Sequence, residues 1–331
     1  MLGFLARRLA YYVVLLLSAA FLSYLLAATA LSPRAYFQAR VPPPPAEQVD
    51  RQLRAVGLDD RQPVTARFAG WAARAARGDL GVSITGTSVN AEFGRRVGVS
   101  LRLLVLGTAL GIGAGVAAGA WSAVKQYRLS DRTFTLVAFL LLSMPTFLVA
   151  LLLKIAALAA NQASGRQLVA FTGESTPGLT GSALTVLADR AGHLLLPTLS
   201  IGLVAVATYS RYQRSAMLDV LGADYLRTAE AKGLSRRAAL VKHGLRTALI
   251  PMSTFFSFGF LGVLTGATFT EKIFGWHGMG EWFIDSVNNN DVNAVVAVNL
   301  FAAVTVLLAG LLADVLHAVL DPRVRLGGGR G

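Results

Sequence analysis

Six apolar stretches, each of about 20 residues, limit the fold of this chain more than any other feature. None contains Asp, Glu, Lys or Arg, and each can cross the hydrocarbon core of a bilayer, which is about 30 Å thick. A charge at mid-membrane costs at least about 2.5 kcal/mol, so such stretches are typical of spanning helices. They are Leu9–Leu31, Leu103–Val124, Thr133–Leu153, Ala191–Ser210, Thr247–Thr270 and Val292–Ala313. The sequence therefore predicts an all-α membrane protein with about six transmembrane helices.

Composition agrees with this fold class, because 54% of the 331 residues are hydrophobic and only 15% are charged. A soluble domain could not bury that much apolar surface. The net charge of +13 would suggest nucleic acid in a soluble protein, but the basic residues lie between the apolar stretches. We interpret them as topology signals and expect no nucleic-acid partner. With no cysteine and four histidines that lack the HExxH spacing, we expect neither catalytic residues nor a metal site.

The short connections agree on one orientation, with both termini in the cytoplasm. The basic residues that mark the cytoplasmic side are Arg7, Arg8, Lys125, Arg128, Arg132, the Lys and Arg residues of segment 211–246, Arg323 and Arg325. The connection after the fifth stretch is mainly acidic and is therefore expected outside. Its charged residues are Glu271, Glu281, Asp285 and Asp291 against Lys272 alone.

The first stretch has two properties of a secretory signal, the preceding Arg7 and Arg8 and a small-residue motif at Ala28–Ala30. Its apolar run exceeds the roughly 7 to 15 residues of a signal h-region, so we expect a retained helix. The predicted domains are an N-terminal transmembrane helix (1–31), an external loop or subdomain (32–102), a core transmembrane domain (103–320) with a cytoplasmic loop at 211–246, and a cytoplasmic tail (321–331).

The external subdomain contains recognisable local structure. Pro42–Pro45 is stiff and extended, helices are expected at Ala46–Val56 and Val64–Arg77, and Gly78–Gly81 predicts a turn. A loop of this size suggests contact with a molecule delivered from outside, and a simple spacer is the alternative.

Small residues and prolines predict where helices approach or bend. A stripe at every fourth position of the second stretch allows another helix to come close, and it also suits a sliding surface. The stripe is Gly107, Gly111, Gly115 and Gly119, and the spacing recurs at Gly262 and Gly266. Pro145 and Pro197 are expected to interrupt the third and fourth helices, for a pathway or for packing. Lys154 and His193 lie near outer helix ends, where they either snorkel to the interface or contact a substrate.

Segment 211–246 is the most informative part of the chain. Gly233 predicts a helix end and Ser235 can cap the next helix, which gives a helix, a sharp turn and a helix in the cytoplasm. Apolar residues recur near helical spacing before the turn at Leu218, Leu221, Tyr225 and Ala229. Such a basic, amphipathic element can lie on anionic lipid or dock into another protein, and these properties do not choose between the two.

The run from Asp224 to Pro251 resembles the EAA loop of binding-protein-dependent ABC importer permeases. In that pattern a Glu-Ala-Ala triplet stands six residues before a glycine. The matching positions here are Arg227, Thr228 and Ala229 before Gly233, so the glutamate is absent. Further on, the pattern's Ile, Leu and Pro fall at His243, Leu245 and Arg246, and only the leucine is kept.

These departures resemble the peptide branch of the superfamily, where runs similar to Asp-Tyr-Leu-Arg-Thr-Ala-x-Ala-Lys-Gly-Leu and Leu-Arg-x-Ala-Leu-Ile-Pro are usual. Further matching motifs are Gly78–Gly81, Ser143–Phe147, Leu196–Leu199, Glu271–Trp276 with Gly278 and Gly280, and Leu320–Arg323. Over essentially its whole length the chain is similar to the first of two permease subunits of an oligopeptide or dipeptide importer. The motifs are weakly specific for substrate, because related importers carry nickel chelates, glutathione or sugars.

The resemblance implies that a short helix sits in a groove of an ATPase subunit and transmits its closing motion. The coupling residues it implies are Asp224, Tyr225, Arg227, Thr228, Ala229, Ala231, Lys232, Gly233 and Leu234. It also implies a second homologous permease, two ATPase subunits that bind ATP and Mg, an external substrate-binding protein and a bacterial cytoplasmic membrane. The chain contains no GxxxxGK[ST] loop, so we expect no cofactor in it.

Two other classes of protein are compatible with a bundle of apolar helices. A stand-alone secondary transporter would place ionisable residues at mid-membrane, and the six stretches contain no Asp, Glu, Lys or Arg. An intramembrane enzyme would need a catalytic cluster, which the sequence does not suggest.

Overall fold

The computed structural model describes the backbone of residues 2–320 and, within them, all side chains except those of 2–9, 254 and 257–262. The only β pairing in the described residues is an isolated bridge between Val82 and Ser88. The helices are α1 (Leu2–Ala30), α2 (Pro33–Gln38), α3 (Ala46–Ala55), α4 (Val64–Ala75), α5 (Val89–Val124), α6 (Leu129–Ser143), α7 (Thr146–Ser164), α8 (Ala183–Leu221), α9 (Asp224–Ala231), α10 (Arg236–Ala239), α11 (Leu245–Phe274), α12 (Met279–Asn288) and α13 (Val292–Leu320). A single π-helical turn, Leu240–Gly244, joins α10 to α11.

Within the described residues, five helices are long and apolar enough to cross a membrane. They are Ala10–Ala30 of α1, and α5, α7, α8 and α13 in full. Helix α11 has 30 residues but contains the positions whose side chains are not described, so the predicted stretch Thr247–Thr270 is untested. The prediction of an all-α membrane protein is confirmed, and the number of six spans stays a prediction.

The third predicted stretch, Thr133–Leu153, is not one continuous helix. Helix α6 ends at Ser143, Met144 is extended with φ −100° and ψ 134°, and α7 begins at Thr146. Pro145 explains the break, because its ring disfavours helical geometry in the preceding residue. The break was predicted, but its consequence was not: α6 has only 15 residues, about 22 Å of helix, and is too short to span alone.

Helix α8 corrects two further expectations. Pro197 lies inside it without interrupting it, because one missing N–H removes a single helical hydrogen bond and leaves the flanking turns intact. The helix also runs from Ala183 to Leu221, well beyond the predicted stretch Ala191–Ser210. The cytoplasmic loop predicted at 211–246 therefore begins as a helical continuation of α8.

The described chain forms two compact units, and the first comprises the residues up to Ser100 together with His277–Leu307. Helices α3 and α4 confirm the two helices predicted in segment 32–102, and positive φ angles at Gly78 and Gly81 confirm the turn. The hydrophobic core of segment 32–102 also contains residues of α1 and α13. The buried residues of that core are Ala20, Tyr24, Ala27, Phe37, Val49, Leu53, Leu58, Trp71, Ile84, Val292, Val295 and Val296.

Hydrogen bonds at the start of α13 hold segment 32–102 to the rest of this unit. The Asn293 amide donates to the carbonyl oxygens of Val56 at 2.9 Å and Val82 at 2.8 Å. The buried Asp291 carboxylate accepts from the Ser83 hydroxyl and caps α13 by accepting from Ala294 N. Because α1 and α13 contribute to the same core, residues 32–102 do not form a separate domain with the predicted boundaries.

The second unit comprises Leu101–Trp276 together with the residues from Leu308 onwards, and α8 lies at its centre. Helix α8 packs against α6, α7 and α11. The four-residue glycine stripe of α5 faces α8 as well. An added Cβ would lie 2.7 Å from Ile201 at Gly107 and 2.7 Å from Tyr209 at Gly115, and it would collide with Ala205 at Gly111 and with the Ser210 carbonyl at Gly119. The stripe therefore provides the close approach of α5 to α8.

Gly266 lies in α11, where an added Cβ would come within 3.0 Å of Thr146 at the start of α7. Its predicted counterpart, Gly262, lies outside the described side chains, as the tail 321–331 lies outside the described residues.

Replacing Gly111 by leucine should lower the stability of the second unit, because the side chain would have to displace Ala205. Overpacking of this kind costs typically about 1–3 kcal/mol. Gly113, on the same helix, is the matched control, since an added Cβ there meets no described atom within 4 Å. The midpoint of heat-induced aggregation in detergent should fall for Gly111→Leu and stay unchanged for Gly113→Leu. Equal midpoints would contradict the packing of α5 on α8.

Candidate coupling site

Helix α9 is separated from α8 by a short link at Gly222 and Ala223. Gly222 has φ −91° and ψ −1°, and α9 begins at Asp224, whose carboxylate in the first turn suits the positive end of the helix dipole. The predicted periodic pattern from Leu218 to Ala229 therefore crosses a helix boundary. Its apolar residues lie on two consecutive helices.

The end of α9 is a left-handed turn at Gly233. This residue has φ +94°, its N–H donates to the Glu230 carbonyl at 2.9 Å, and the Leu234 N–H donates to the Ala229 carbonyl at 3.2 Å. Glycine is favoured here because a positive φ brings no side-chain clash. The Ser235 hydroxyl then caps α10 by accepting from Ala238 N at 3.3 Å. The predicted helix, sharp turn and helix are confirmed.

The second helix of this segment was not predicted in its observed form. After the four residues of α10 the backbone widens into the π turn Leu240–Gly244 before α11 begins. Turns of this type are uncommon and occur frequently at functional sites. Gly244 is buried in the π turn, where an added Cβ would come within 3.3 Å of Val220.

The inner face of α9 is apolar and buried against the protein. Leu226 is 3% exposed and Ala229 is 9% exposed. They belong to a cluster with residues from the ends of α5 and α8 and from α10 and α11, namely Ala123, Met217, Val220, Ala239 and Ala248. Burial of a leucine side chain stabilises a fold by about 1.5–3 kcal/mol. Leu226 therefore anchors α9 to the helices of this cluster. Leu226 was not part of the apolar pattern predicted from the sequence. Its three-residue spacing from Ala229 could have identified the inner face of α9.

The outer face of α9 is exposed. Of the nine residues assigned to the coupling surface, the exposed ones are Asp224, Tyr225, Arg227, Thr228, Ala231, Lys232 and Gly233. Ala229 is buried and Leu234 is half-buried against the same cluster. These two face inwards because helical periodicity places residue 229 with Leu226, and the turn brings Leu234 back to the cluster. They support the helix and do not form its outer surface.

The charged side chains of α9 and Lys232 are exposed, with Asp224 and Glu230 against Arg227 and Lys232. Arg227 lies 3.8 Å from Asp224, but their side chains are 80% and 95% exposed, so solvent weakens this pair. Arg236, Arg237 and Lys242 add further exposed positive charge.

The burial pattern bears on the two interpretations of this segment. A helix that lies on lipid keeps its apolar face exposed for insertion between the head groups. In α9 the apolar residues Leu226 and Ala229 are already covered by protein, and the outer face is mainly polar. This arrangement favours docking to another polypeptide.

The two polar residues considered for substrate contact have partners within the chain. The Lys154 ammonium donates to the Ile273 carbonyl in the last turn of α11. His193 is buried in α8, with Nδ1 2.9 Å from the Asp189 carbonyl oxygen. In both contacts the side chain is bonded to a backbone carbonyl oxygen of a helix. Among the described residues, no group of three His, Cys, Asp or Glu side chains is placed to hold a metal ion.

Comparison with known proteins places this segment in a family. Residues 112–326 match the model of the family described as "Binding-protein-dependent transport system inner membrane component". That match covers α9 and the turn at Gly233. The chain belongs to this family.

Individual members extend the similarity to nearly the whole chain. The oligopeptide transport system permease protein OppB of Mycobacterium tuberculosis is 55% identical over 98% of this chain and 99% of its own length. The oligopeptide transport system permease protein AppB of Bacillus subtilis is 35% identical over 85% of this chain and 87% of its own. The dipeptide transport system permease protein DppB of Escherichia coli is 34% identical over 82% and 84%. With its apolar helices, this family member is a multi-pass protein of the bacterial inner membrane.

The turn at Gly233 gives a direct test of the coupling site. Valine at a positive φ costs about 1–2 kcal/mol. Since about 1.4 kcal/mol corresponds to a tenfold change in an equilibrium constant, valine should lower the population of the observed turn several-fold. Gly233→Val should therefore reduce transport several-fold while membrane insertion stays normal, as measured by solute uptake and by the amount of chain in isolated membranes.

Gly222→Val is the matched control, because both glycines have no described atom within 4 Å of an added Cβ and only Gly233 has a positive φ. Normal uptake by the Gly233 variant, or an equal loss in both variants, would contradict a role for this turn.

Proposed function

We propose that this chain is the membrane permease subunit of an ATP-binding-cassette importer of oligopeptides or dipeptides. In this proposal α9 receives the movement of a partner ATPase at its outer face and passes it to the membrane helices. The observation that carries the proposal is the division of α9 into an exposed polar face and a buried apolar face.

The inner contact can transmit displacement because it joins α9 to several membrane helices at once. Leu226 and Ala229 share a cluster with Met217 of α8, Ala123 of α5 and Ala248 of α11. Packed side chains have little free volume, so a displacement of α9 moves the ends of these helices with it. An exposed linker would bend instead.

Peptides are the proposed substrate class because of the names of the relatives. The relative that is 55% identical over 98% of this chain is an oligopeptide permease, and those at 35% and 34% identity are an oligopeptide and a dipeptide permease. A roomy pathway with few specific contacts suits substrates whose side chains vary. Nickel chelates, glutathione and other small solutes are the alternatives within the same architecture.

The proposed partners follow from what the chain lacks and from the family's dependence on a binding protein. The sequence has no GxxxxGK[ST] phosphate-binding loop, so ATP and Mg would bind to two partner ATPase subunits. A second homologous permease would complete the pathway, and an external substrate-binding protein would deliver the solute. The chain itself is non-catalytic in this proposal.

Uptake by cells that lack this gene tests the proposal. Deletion should abolish uptake of labelled peptides of suitable length, and expression of the wild-type chain should restore it. Competition by unlabelled peptides, a nickel chelate and glutathione distinguishes the substrate classes, and only peptides should compete. The tagged chain should co-purify with a nucleotide-hydrolysing subunit.

Two results would count against the proposal. Uptake that depends on an ion gradient, with no ATPase in the purified complex, would favour a secondary transporter. Competition by the nickel chelate or glutathione without competition by peptides would keep the importer but replace the substrate.

A further inference from the structure

Helix α6 is joined to its neighbours by a buried carboxylate at its first turn. The Asp131 side chain is 3% exposed and forms a two-point ion pair with Arg214 of α8, with Nε to Oδ1 at 2.8 Å and the second guanidinium nitrogen to Oδ2 at 2.9 Å. The same carboxylate accepts from the Ser122 hydroxyl of α5 and from Tyr127 N at 2.9 Å. One side chain thus connects α5, α6 and α8.

Hydrogen bonds from Arg214 outweigh the opposing effect of burial and hold the pKa of the Asp131 carboxyl well below its usual value. The pair is therefore charged at neutral pH. Two-point geometry and two further hydrogen bonds are the conditions under which a buried pair offsets its desolvation. A buried pair is nevertheless weak evidence for a purely stabilising role, since apolar residues of similar volume often stabilise as well.

Helix α6 packs along α8, but little of its own surface is buried. All of its residues are described, and only Asp131 and Ala138 are buried. Arg211 of α8 lies over the ring of Phe139 at 4.4 Å, which adds a second contact to the same neighbour. Large exposed side chains such as Leu136 and Leu140 make up much of the remaining surface. The ion pair is therefore the main directional link that sets the position of α6 relative to α8.

The ion pair lies directly beside the cluster that anchors α9. Arg214 precedes Met217 by one helical turn on α8, and Ser122 is adjacent to Ala123 on α5. Met217 and Ala123 both belong to the cluster that buries Leu226. The apolar contact joins α9 to α8 and α5, and the polar contact joins those two helices to α6.

We infer that the Asp131–Arg214 pair is a positioning link that carries the movement of α9 to α6, and through the break at Met144–Pro145 to α7. This inference rests on the proposed function. In the transport cycle α6 and α8 move together because the pair stays formed, and each ATP hydrolysed then yields a full displacement of the pathway. Loss of the pair lets α8 move while α6 lags behind.

The test uses the complete complex in proteoliposomes with labelled peptide, and it measures both peptide uptake and ATP hydrolysis. The double variant D131N/R214Q removes both charges, so no unpaired buried charge remains. We expect normal assembly and continued ATP hydrolysis, with uptake per ATP reduced about fivefold or more, in the range usual for coupling between sites. A residue that only stabilised the fold would lower the amount of complex without changing this ratio.

The pair of Arg102 and Glu174, 2.7 Å apart and partly exposed, provides the matched control. Neutralising it as R102Q/E174Q should leave uptake per ATP unchanged. Arg214→Lys is the second test variant, since it keeps the charge but loses the two-point geometry, and it should give an intermediate ratio.

An unchanged ratio in assembled D131N/R214Q would overturn the inference. If the double variant does not assemble, Arg214→Lys decides: a reduced ratio supports the link, and an unchanged ratio overturns it. Failure of both variants to assemble would assign the pair to folding and would also overturn the inference. A wild-type complex without ATP hydrolysis or peptide uptake would instead refute the proposed function.

Discussion

Leu226 and Ala229 bury the inner face of α9 against the ends of α5 and α8, and the proposed coupling of α9 to the membrane helices depends on that contact. It fixes a short helix to the membrane helices and leaves the polar outer face exposed. Without it the apolar residues of α9 would be exposed, as they are in a helix that lies on lipid. In the proposed function, this contact carries force from the outer face of α9 to the membrane helices.

Helix α8 contacts most of the other helices named in the second unit. Glycines at every fourth position of α5 let the two backbones approach so closely that an added methyl group would collide with Ala205 or with the Ser210 carbonyl. On another side, α8 holds α6 through the Asp131 carboxylate, although α6 is short and buries little else. The contact to α5 depends on the absence of side chains, and the contact to α6 includes a buried charged pair. Both place neighbouring helices in a defined relation to α8.

Much of this arrangement could be predicted from local signals. Apolar length identified an all-α membrane protein, and Gly233 followed by Ser235 identified the turn, because a positive φ and a helix cap have strong residue preferences. What failed depended on contacts between distant residues. The sequence could not indicate that Asn293 would join segment 32–102 to α13. The inward orientation of Ala229, by contrast, follows from its spacing to Leu226.

Asp131 forms a contact with Arg214 that could not be predicted either, because these two residues are far apart in the sequence. Its position among Lys125, Arg128 and Arg132 made it one acidic residue in a basic connection, but its partner Arg214 lies 83 positions further along the chain. Local sequence cannot show which of many arginines will approach a given carboxylate. The side chain that connects three helices was therefore found only in the folded structure.

Photo-crosslinking from position 227 in living cells tests the central claim most directly. Arg227 is exposed on the outer face of α9, and a photoreactive residue there should form a covalent adduct with an ATP-binding subunit in the cytoplasm. The same residue at position 226, which is buried, should form no such adduct. An adduct from position 227 to lipid alone, or to a protein on the outer side of the membrane, would contradict the account.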